Sequence, residues 1–371
     1  MGTQNLRTPP EATLPGVIRW RKGTVSALRR QWAGVVDVDV DTAEGTVPAL
    51  AYVALVGTPR PGDAALLNTT ALHLGLGTGG HALVVALPDR LPPDPTGPGH
   101  LVKSRYTPTQ ATVLGVDEPD SPHHDLIARA SSVEGMAVVV ADLHSALPAV
   151  LAGIHADAPA ARVVYLMTDG GALPLWYSRT VAGLADRLAG TVTVGQSFGG
   201  DLEAVTVHTG LLAARHVLGA EVTVISQGPG NLGTSTPWGF SGVAAGEAVN
   251  AVAVLGGRPV GALRLSDADP RERHRGVSHH ALTAFGRVAL AAADLPVPAD
   301  LPAALAATVA ADLEPLRGRH RIVPVDCTGL DAALRACPVP LSTMGRGLDA
   351  DHAYFLAAAA AGRHAAALLA E

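Results

Sequence analysis

"MAVVVADLHSALPAVLAGIHADAPAARVVYLMTDGG", residues 136–171, decides how the larger part of this chain is read. Two apolar runs of strand length, MAVVVADLH and ARVVYLMTDGG, bracket SALPAVLAGIHADAP, which reads as a helix with Ser145 as its N-cap. Continuous apolar runs describe strands buried on both faces. A strand–helix–strand order describes parallel strands joined by a crossover helix.

The same alternation continues downstream. PLWYSRTVAGLADRLAG (174–190) reads as helix and TVTVGQSFGG (191–200) as strand. DLEAVTVHTGLLAARHVLG (201–219) reads as helix, with Asp201 at its N-cap and Glu203 in its first turn, and AEVTVISQGPGNLG (220–233) as strand. GEAVNAVAVLGG and RPVGALRLSDAD extend the series, and two Ala-rich helices around HRIVPVD (320–326) close it. The predicted fold is α/β, a mostly parallel sheet with helices on both faces, over residues 106–371.

Upstream the period shortens. GVIRWRKGTVSAL (16–28), GVVDVDVDTAEG (34–45), TVPALAYVAL (46–55) and HALVVALPD (81–89) read as strands between Gly, Pro and Thr breaks. They predict a small β-barrel or curved sheet, a separate domain over residues 14–105. VVDVDVD sets valines on one face and Asp37, Asp39 and Asp41 on the other. That is a solvated strand face, since a calcium loop needs a glycine and a closing glutamate. PDRLPPDPTGPGH (88–100) holds five prolines and reads as linker or surface loop.

Composition sets the outer limits. With 48% hydrophobic and 16% charged residues among 371, the chain can bury a large core. A net charge of -6 argues against a protein-wide nucleic-acid surface. Cys327 and Cys337 are too few for a disulfide scaffold, and Cys327 reads as a buried reduced thiol. MGTQNLRTPPEATLPG has no apolar core of a signal peptide, and no charge-free apolar run reaches membrane length. The nearest, residues 353–370, is interrupted by Arg363 and His364 and suits a packed surface helix. A cytoplasmic location is expected, with no membrane and no nucleic acid among the partners and a homo-oligomer allowed.

Four strand ends concentrate the chemistry: MTDGGALP (167–174), GQSFGGDLE (195–203), SQGPGNLGTSTPWGFSG (226–242) and SDADPRERHRGVSHH (266–280). Parallel strands place all four loops along one rim, where open α/β sheets bind ligands. Gly228, Gly230 and Gly233 have the bare spacing G-x-G-x-x-G, but Pro229 removes one backbone donor and no acidic residue follows in the dinucleotide context. With Asn231 and Thr234, and with Gly199 and Gly200 on the neighbouring loop, they are candidate ligand contacts. Asp169 is a candidate catalytic carboxylate at the end of its strand.

The segment 264–280 holds four arginines against Asp267, Asp269 and Glu272. Planar guanidinium groups suit phosphate or carboxylate, and imidazole exchanges a proton near neutrality. Arg271, Arg273 and Arg275, joined by Arg346 from STMGRG, are therefore candidate anion ligands. His274, His279 and His280 are candidate proton-transfer groups. A divalent metal ranks lower, because an arginine 4 Å from a cation costs on the order of 4 kcal/mol at an effective dielectric of 20. The predicted partner is a small phosphate- or carboxylate-bearing molecule, and no cofactor or metal is assigned. An enzyme is the leading reading, with a non-catalytic small-molecule-binding regulator as its alternative.

LNTTALHLGLGTGG, YLMTDGGALPL, SFGGDLEAVTVHTGLLAARHVLGA, QGPGNLGT, DADPRERHRGVSHH and STMGRG together resemble a bacterial family catalogued as domain of unknown function 3866. The resemblance spans about residues 15–365 and implies no reaction and no catalytic residues. It leads one to expect phenylalanine at position 267, where Asp267 stands, so Asp267 is given no role.

Overall fold

A computed structural model describes residues 16–371, so most of the N-terminal segment assessed as a leader lies outside the described residues. The chain divides into two compact units, one ending at Pro95 and one spanning Thr96–Glu371.

The first unit is a closed five-stranded barrel. Its strands are β1 (Trp20–Trp32), β2 (Val35–Thr42), β3 (Gly45–Tyr52), β4 (Ala64–Asn68) and β5 (Ala82–Ala86), in the order β1-β2-β3-β5-β4. Two short helices, α1 (Val53–Val56) and α2 (Thr70–His73), bridge them. Val38 and Val40 are fully buried, so the valine face of VVDVDVD fills the interior as its period demands. The aspartate face is not uniformly solvated. Asp37 is buried 3.3 Å from His81 Nε2, whereas Asp39 pairs with Arg29 and Asp41 accepts from Thr46.

The second unit opens with a hairpin of β6 (Leu101–Lys103) and β7 (Ala111–Val113), then α3 (His124–Arg129). Residues 136–171 fold as β8 (Ala137–Ala141), α4 (Leu147–Asp157) and β9 (Val163–Thr168). There follow α5 (Arg179–Gly183), β10 (Gly190–Val194), β11 (Leu202–Ala204), α6 (Val207–His216), β12 (Val222–Gln227), α7 (Ala244–Val254) and β13 (Arg258–Ala262). A two-stranded excursion, β14 (Leu265–Ser266) and β15 (Gly276–Val277), leads into α8 (His279–Thr283) and β16 (Asp294–Pro298). The chain closes with α9 (Ala303–Leu313), β17 (Arg321–Val325), α10 (Leu330–Arg335), the hairpin β18 (Ser342–Thr343) and β19 (Arg346–Gly347), and α11 (His352–Ala367).

Eight strands form one parallel sheet in the order β11-β10-β9-β12-β8-β13-β16-β17. One face is covered by α6, α7, α8 and α9, and the other by α4, α10 and α11. The α/β reading and the N-terminal barrel both hold. α11 and the turn after it are apolar enough to cross a membrane, but 78% of the best window is buried within the protein. Its composition reflects a core position, not the surface position expected, and alanine is what lets it approach α4 and the sheet so closely.

Three local expectations fail for one reason: side chains that could cap helices are recruited to longer-range contacts. Asp201 accepts from the backbone and hydroxyl of Thr191 at 2.8 Å, pinning the loop to β10. Glu203 lies in β11, and α6 is capped by Thr206, which accepts from Thr209 N–H. The buried Lys103 sits 3.2 Å from Glu203 and donates to the carbonyls of Gly195 and Ser197. Burial lowers the pKa of Lys103 and raises that of Glu203. Ser145 meets the Tyr354 hydroxyl at 2.7 Å instead of capping α4.

Beside it, His144 is buried with Nε2 2.8 Å from Ser178 Oγ and Nδ1 2.9 Å from the Tyr165 hydroxyl. Burial lowers its pKa to about 4. An unfolded histidine titrates near 6.5, so below that pH the unfolded chain takes up a proton that the folded one refuses. The stabilisation is complete above about pH 6.5 and falls by up to roughly 1.4 kcal/mol per pH unit as the pH drops towards 4. Urea unfolding of wild type and His144→Gln at pH 7, 6 and 5 checks this. The substitution should remove about one proton's worth of slope, and an unchanged slope would refute the assignment.

Candidate functional site at the carboxyl edge of the sheet

Neighbouring strands β8 and β12 send their connections to opposite faces of the sheet, into α4 and α7 respectively. The crevice between such strand ends is where open α/β sheets bind ligands. Here it is a small cleft whose lining includes Asp142, Thr168, Gln227 and Ser241. Gln227 is buried, donates to Asp142 O at 2.6 Å and to Asn231 Oδ1 at 3.1 Å, and accepts from Ser241 Oγ. Its amide thus ties the end of β8 to the loop after β12.

Next to this crevice, past the end of β13, the chain makes the charged excursion of residues 264–280. Asp269 is its hub, fully buried and bound by Arg271 through Nε and Nη2, both at 2.9 Å. Arg346 donates to it at 3.1 Å, and Arg264 lies 3.5 Å away. Arg346 also donates to Asp351, whose other oxygen accepts from Ser266. Burial works to raise the pKa of Asp269, but the hydrogen bonds and charges of Arg271 and Arg346 hold it well below the usual carboxylate range.

The hub folds the turn so that three imidazoles converge. One ring nitrogen from each of His274, His279 and His280 lies within 4.8 Å of the others. Ser278 Oγ accepts from His280 N–H at the start of α8 and stands 2.7 Å from His274 Nδ1. Phe240 stacks flat on His280 with ring centroids 3.8 Å apart. Asp142 Oδ2 is 3.7 Å from His280 Nδ1, and Arg264 Nη1 is 3.3 Å from the same nitrogen. Burial, with Arg264 and Arg271 nearby, lowers the pKa of His274 to about 3. Burial, with His280 and Arg273 nearby, lowers that of His279 to about 4. Both rings are therefore neutral at pH 7, with lone pairs available.

The cluster leaves polar atoms unmatched. Asp142 Oδ2, Arg264 Nη2 and His279 Nε2 are buried without a hydrogen bond. Such orphans are rare in native interiors and call for an explanation. Three of them fall within one cluster at a strand-end crevice, which makes it the candidate site.

The structure sorts the sequence candidates. His274, His279 and His280 are brought together, with Arg273 and Arg275 exposed on the same turn. Arg275 spends its Nε on Asp269 O at 3.0 Å, and neither Arg273 nor Arg275 has a carboxylate partner among the described residues. Arg271 and Arg346 do not face outward for an anion, because both are bound to buried aspartates. Asp169 is separated from the histidines. It accepts from Gln196 N–H at the β9–β10 edge, and β9 stands three strand spacings, roughly 14 Å, from β13.

The glycine loops divide in the same way. Gly199 packs against the Trp176 ring and donates to Glu203 at 2.6 Å, and Gly200 lies against Thr193 of β10. Gly228 presses on Ala172 and Met167, and Asn231 is held by Gln227 and Ser241. Thr234 turns to Thr236 and Gly239 within its own loop. Gly230, at φ +95°, has open space beside it, and Gly233 is nearly as open. The residue that sequence reasoning missed is Asp142. Its signal was present: it ends the apolar run AVVVA, and the end of that strand belongs to the same rim as the four that were considered.

Fold and site together define the class: a five-stranded barrel unit followed by a parallel α/β unit with a histidine, arginine and aspartate cluster at its strand ends. The chain belongs to the family described as Protein of unknown function (DUF3866), whose model matches residues 48–362. No curated protein and no solved structure matches it.

Proposed function

We propose that the unit spanning residues 96–371 is an enzyme acting on a small phosphate- or carboxylate-bearing metabolite at the carboxyl edge of its sheet. Arg273 and Arg275 meet the anion, and an imidazole of the cluster, backed by Asp142, moves a proton. The observation that carries this reading is the group of buried atoms of Asp142, Arg264 and His279 that make no hydrogen bond, beside two guanidinium groups that lack a carboxylate. A neutral imidazole is a proton acceptor, and a carboxylate behind it stabilises the imidazolium that forms. Arg271 and Arg346 belong to the scaffold that holds the turn.

The test is a thermal-shift panel of nucleotides, sugar phosphates and carboxylates on wild type, Arg273→Ala and Arg275→Ala. An anion in the panel should raise the unfolding temperature of wild type. Each substitution removes a charged hydrogen bond worth about 1.5–3 kcal/mol, so affinity should fall roughly 10- to 100-fold. No response to any anion, or equal responses from all three proteins, would refute the proposal. Binding without turnover of the bound compound would leave the regulator reading in its place.

A further inference from the structure

We propose that His274, His279 and His280 form a binding site for a divalent transition-metal ion of the zinc class, with Asp142 as its carboxylate partner. Three imidazoles leave one or more coordination positions open, the arrangement of a catalytic and not a structural zinc centre. Imidazole is the donor that zinc, cobalt and nickel share, and no thiolate stands with these rings. The inference shares its location with the proposed function; a ring bound to metal through its lone pair cannot also accept a proton, so with metal bound only the anion contacts of Arg273 and Arg275 carry over. Metal uptake is measured with no anion present, so either can fail alone.

Geometry comes first. The three nitrogens lie within 4.8 Å of one another, against an edge of about 3.3 Å for a tetrahedron with zinc–nitrogen bonds near 2.0–2.1 Å. The nitrogens must close by up to about 1.5 Å to reach that edge. His274 Nδ1 stands 2.7 Å from Ser278 Oγ, and in the tautomer protonated at Nδ1 the lone pair lies on Nε2, the way proteins orient a ligating histidine. His279 Nε2 is buried and has no hydrogen-bond partner at all. Asp142, only 3% exposed, keeps one carboxylate oxygen unpartnered 3.7 Å from His280. Phe240, flat against His280, fixes that ring.

Charge is the objection that the sequence raises, since arginines crowd the segment. The fold narrows it. Arg264, Arg271 and Arg346 are balanced in number by the buried carboxylates of Asp142, Asp269 and Asp351, which leaves Arg273 and Arg275, exposed on the same turn, as the uncompensated charges. Arg271 and Arg346 point their guanidinium groups at oxygen, away from the ring nitrogens. What a cation would meet is three imidazoles and an unmatched carboxylate oxygen, with Arg264 Nη1 3.3 Å from His280 Nδ1 as the one guanidinium at the rings.

The experiment uses the full chain without an affinity tag, stripped by chelator and dialysed, then titrated with cobalt(II) and, separately, zinc(II). One equivalent of cobalt should develop the visible absorption of a four- or five-coordinate ion, and one equivalent of zinc should raise the unfolding temperature. His279 lies at the edge of the cluster and is half-buried, so His279→Ala is the variant of choice, with His279→Gln in its place should the alanine protein fail to fold. Either should weaken zinc by at least about 100-fold, beyond the 10- to 100-fold expected for Asp142→Asn as an outer partner. Near-UV circular dichroism verifies that each variant is folded. No saturable uptake by wild type, or unchanged affinity in the folded His279 variant, would overturn the assignment.

Discussion

Asp269→Ala is expected to destabilise the 96–371 unit by about 3–5 kcal/mol, the cost of removing one partner from a buried ion pair. Asp269 is fully buried and receives Arg271 and Arg346, with Arg264 close by. Its loss leaves the buried Arg264 and the part-buried Arg271 and Arg346 facing one another without their shared carboxylate. Thermal unfolding should show a drop of roughly 6–20 °C, at about 2–4 °C per kcal/mol for a unit of this size. The same side chain sets the turn that carries His274, so cobalt or anion binding should fall with it. A change under 1 kcal/mol would mean that the network behaves like a solvated surface pair. The acid limb follows from the depressed pKa of Asp269. Its stabilisation is complete above the ordinary carboxylate value near 3.9 and is lost as the pH falls below that.

Gly362→Ala should destabilise by at least about 3 kcal/mol, at or beyond the top of the usual range for overpacking. In an exposed helix the same change would stabilise by roughly 1 kcal/mol. The sign reverses because α11 lies directly on α4. A Cβ at Gly362 would run into the Val150 carbonyl, and one at Gly153 into the Ala359 carbonyl. The receiving atoms are backbone, so the clash is relieved only by moving one helix off the other. Urea unfolding of Gly362→Ala, with Gly318→Ala as the control where a Cβ meets nothing, decides it. Equal stability of the two variants would show that the helices can separate without cost.

Period and order carried the architecture into the sequence. Short, β-branched apolar runs such as AVVVA and VVYLMT read as strands buried on both faces, and their alternation with helical segments leaves few topologies besides a parallel sheet. The rim of strand ends follows from that parallelism, which is why the histidine turn and the glycine loop could be placed on one edge before any coordinates. Local capping signals misled at Ser145 and Asp201, because a short polar side chain satisfies a helix end or a distant hydroxyl equally well. Tertiary distance makes that choice.

The charged segment shows the division most sharply. Its composition singled the segment out as a candidate site, and the residue types named imidazole and guanidinium as the groups it concentrates. Which arginines are free depended on where buried aspartates came to lie, and Asp351 is 85 residues away along the chain from Ser266, which it binds. Asp169 and Asp142 both end strands, and only the strand order, with β12 threaded between β9 and β8, puts Asp142 beside the histidines and Asp169 far from them. Periodicity is a property of neighbouring residues and is written in the chain. The pairing of charges is a property of space, set by how the sheet orders its strands, and only the folded structure decides it.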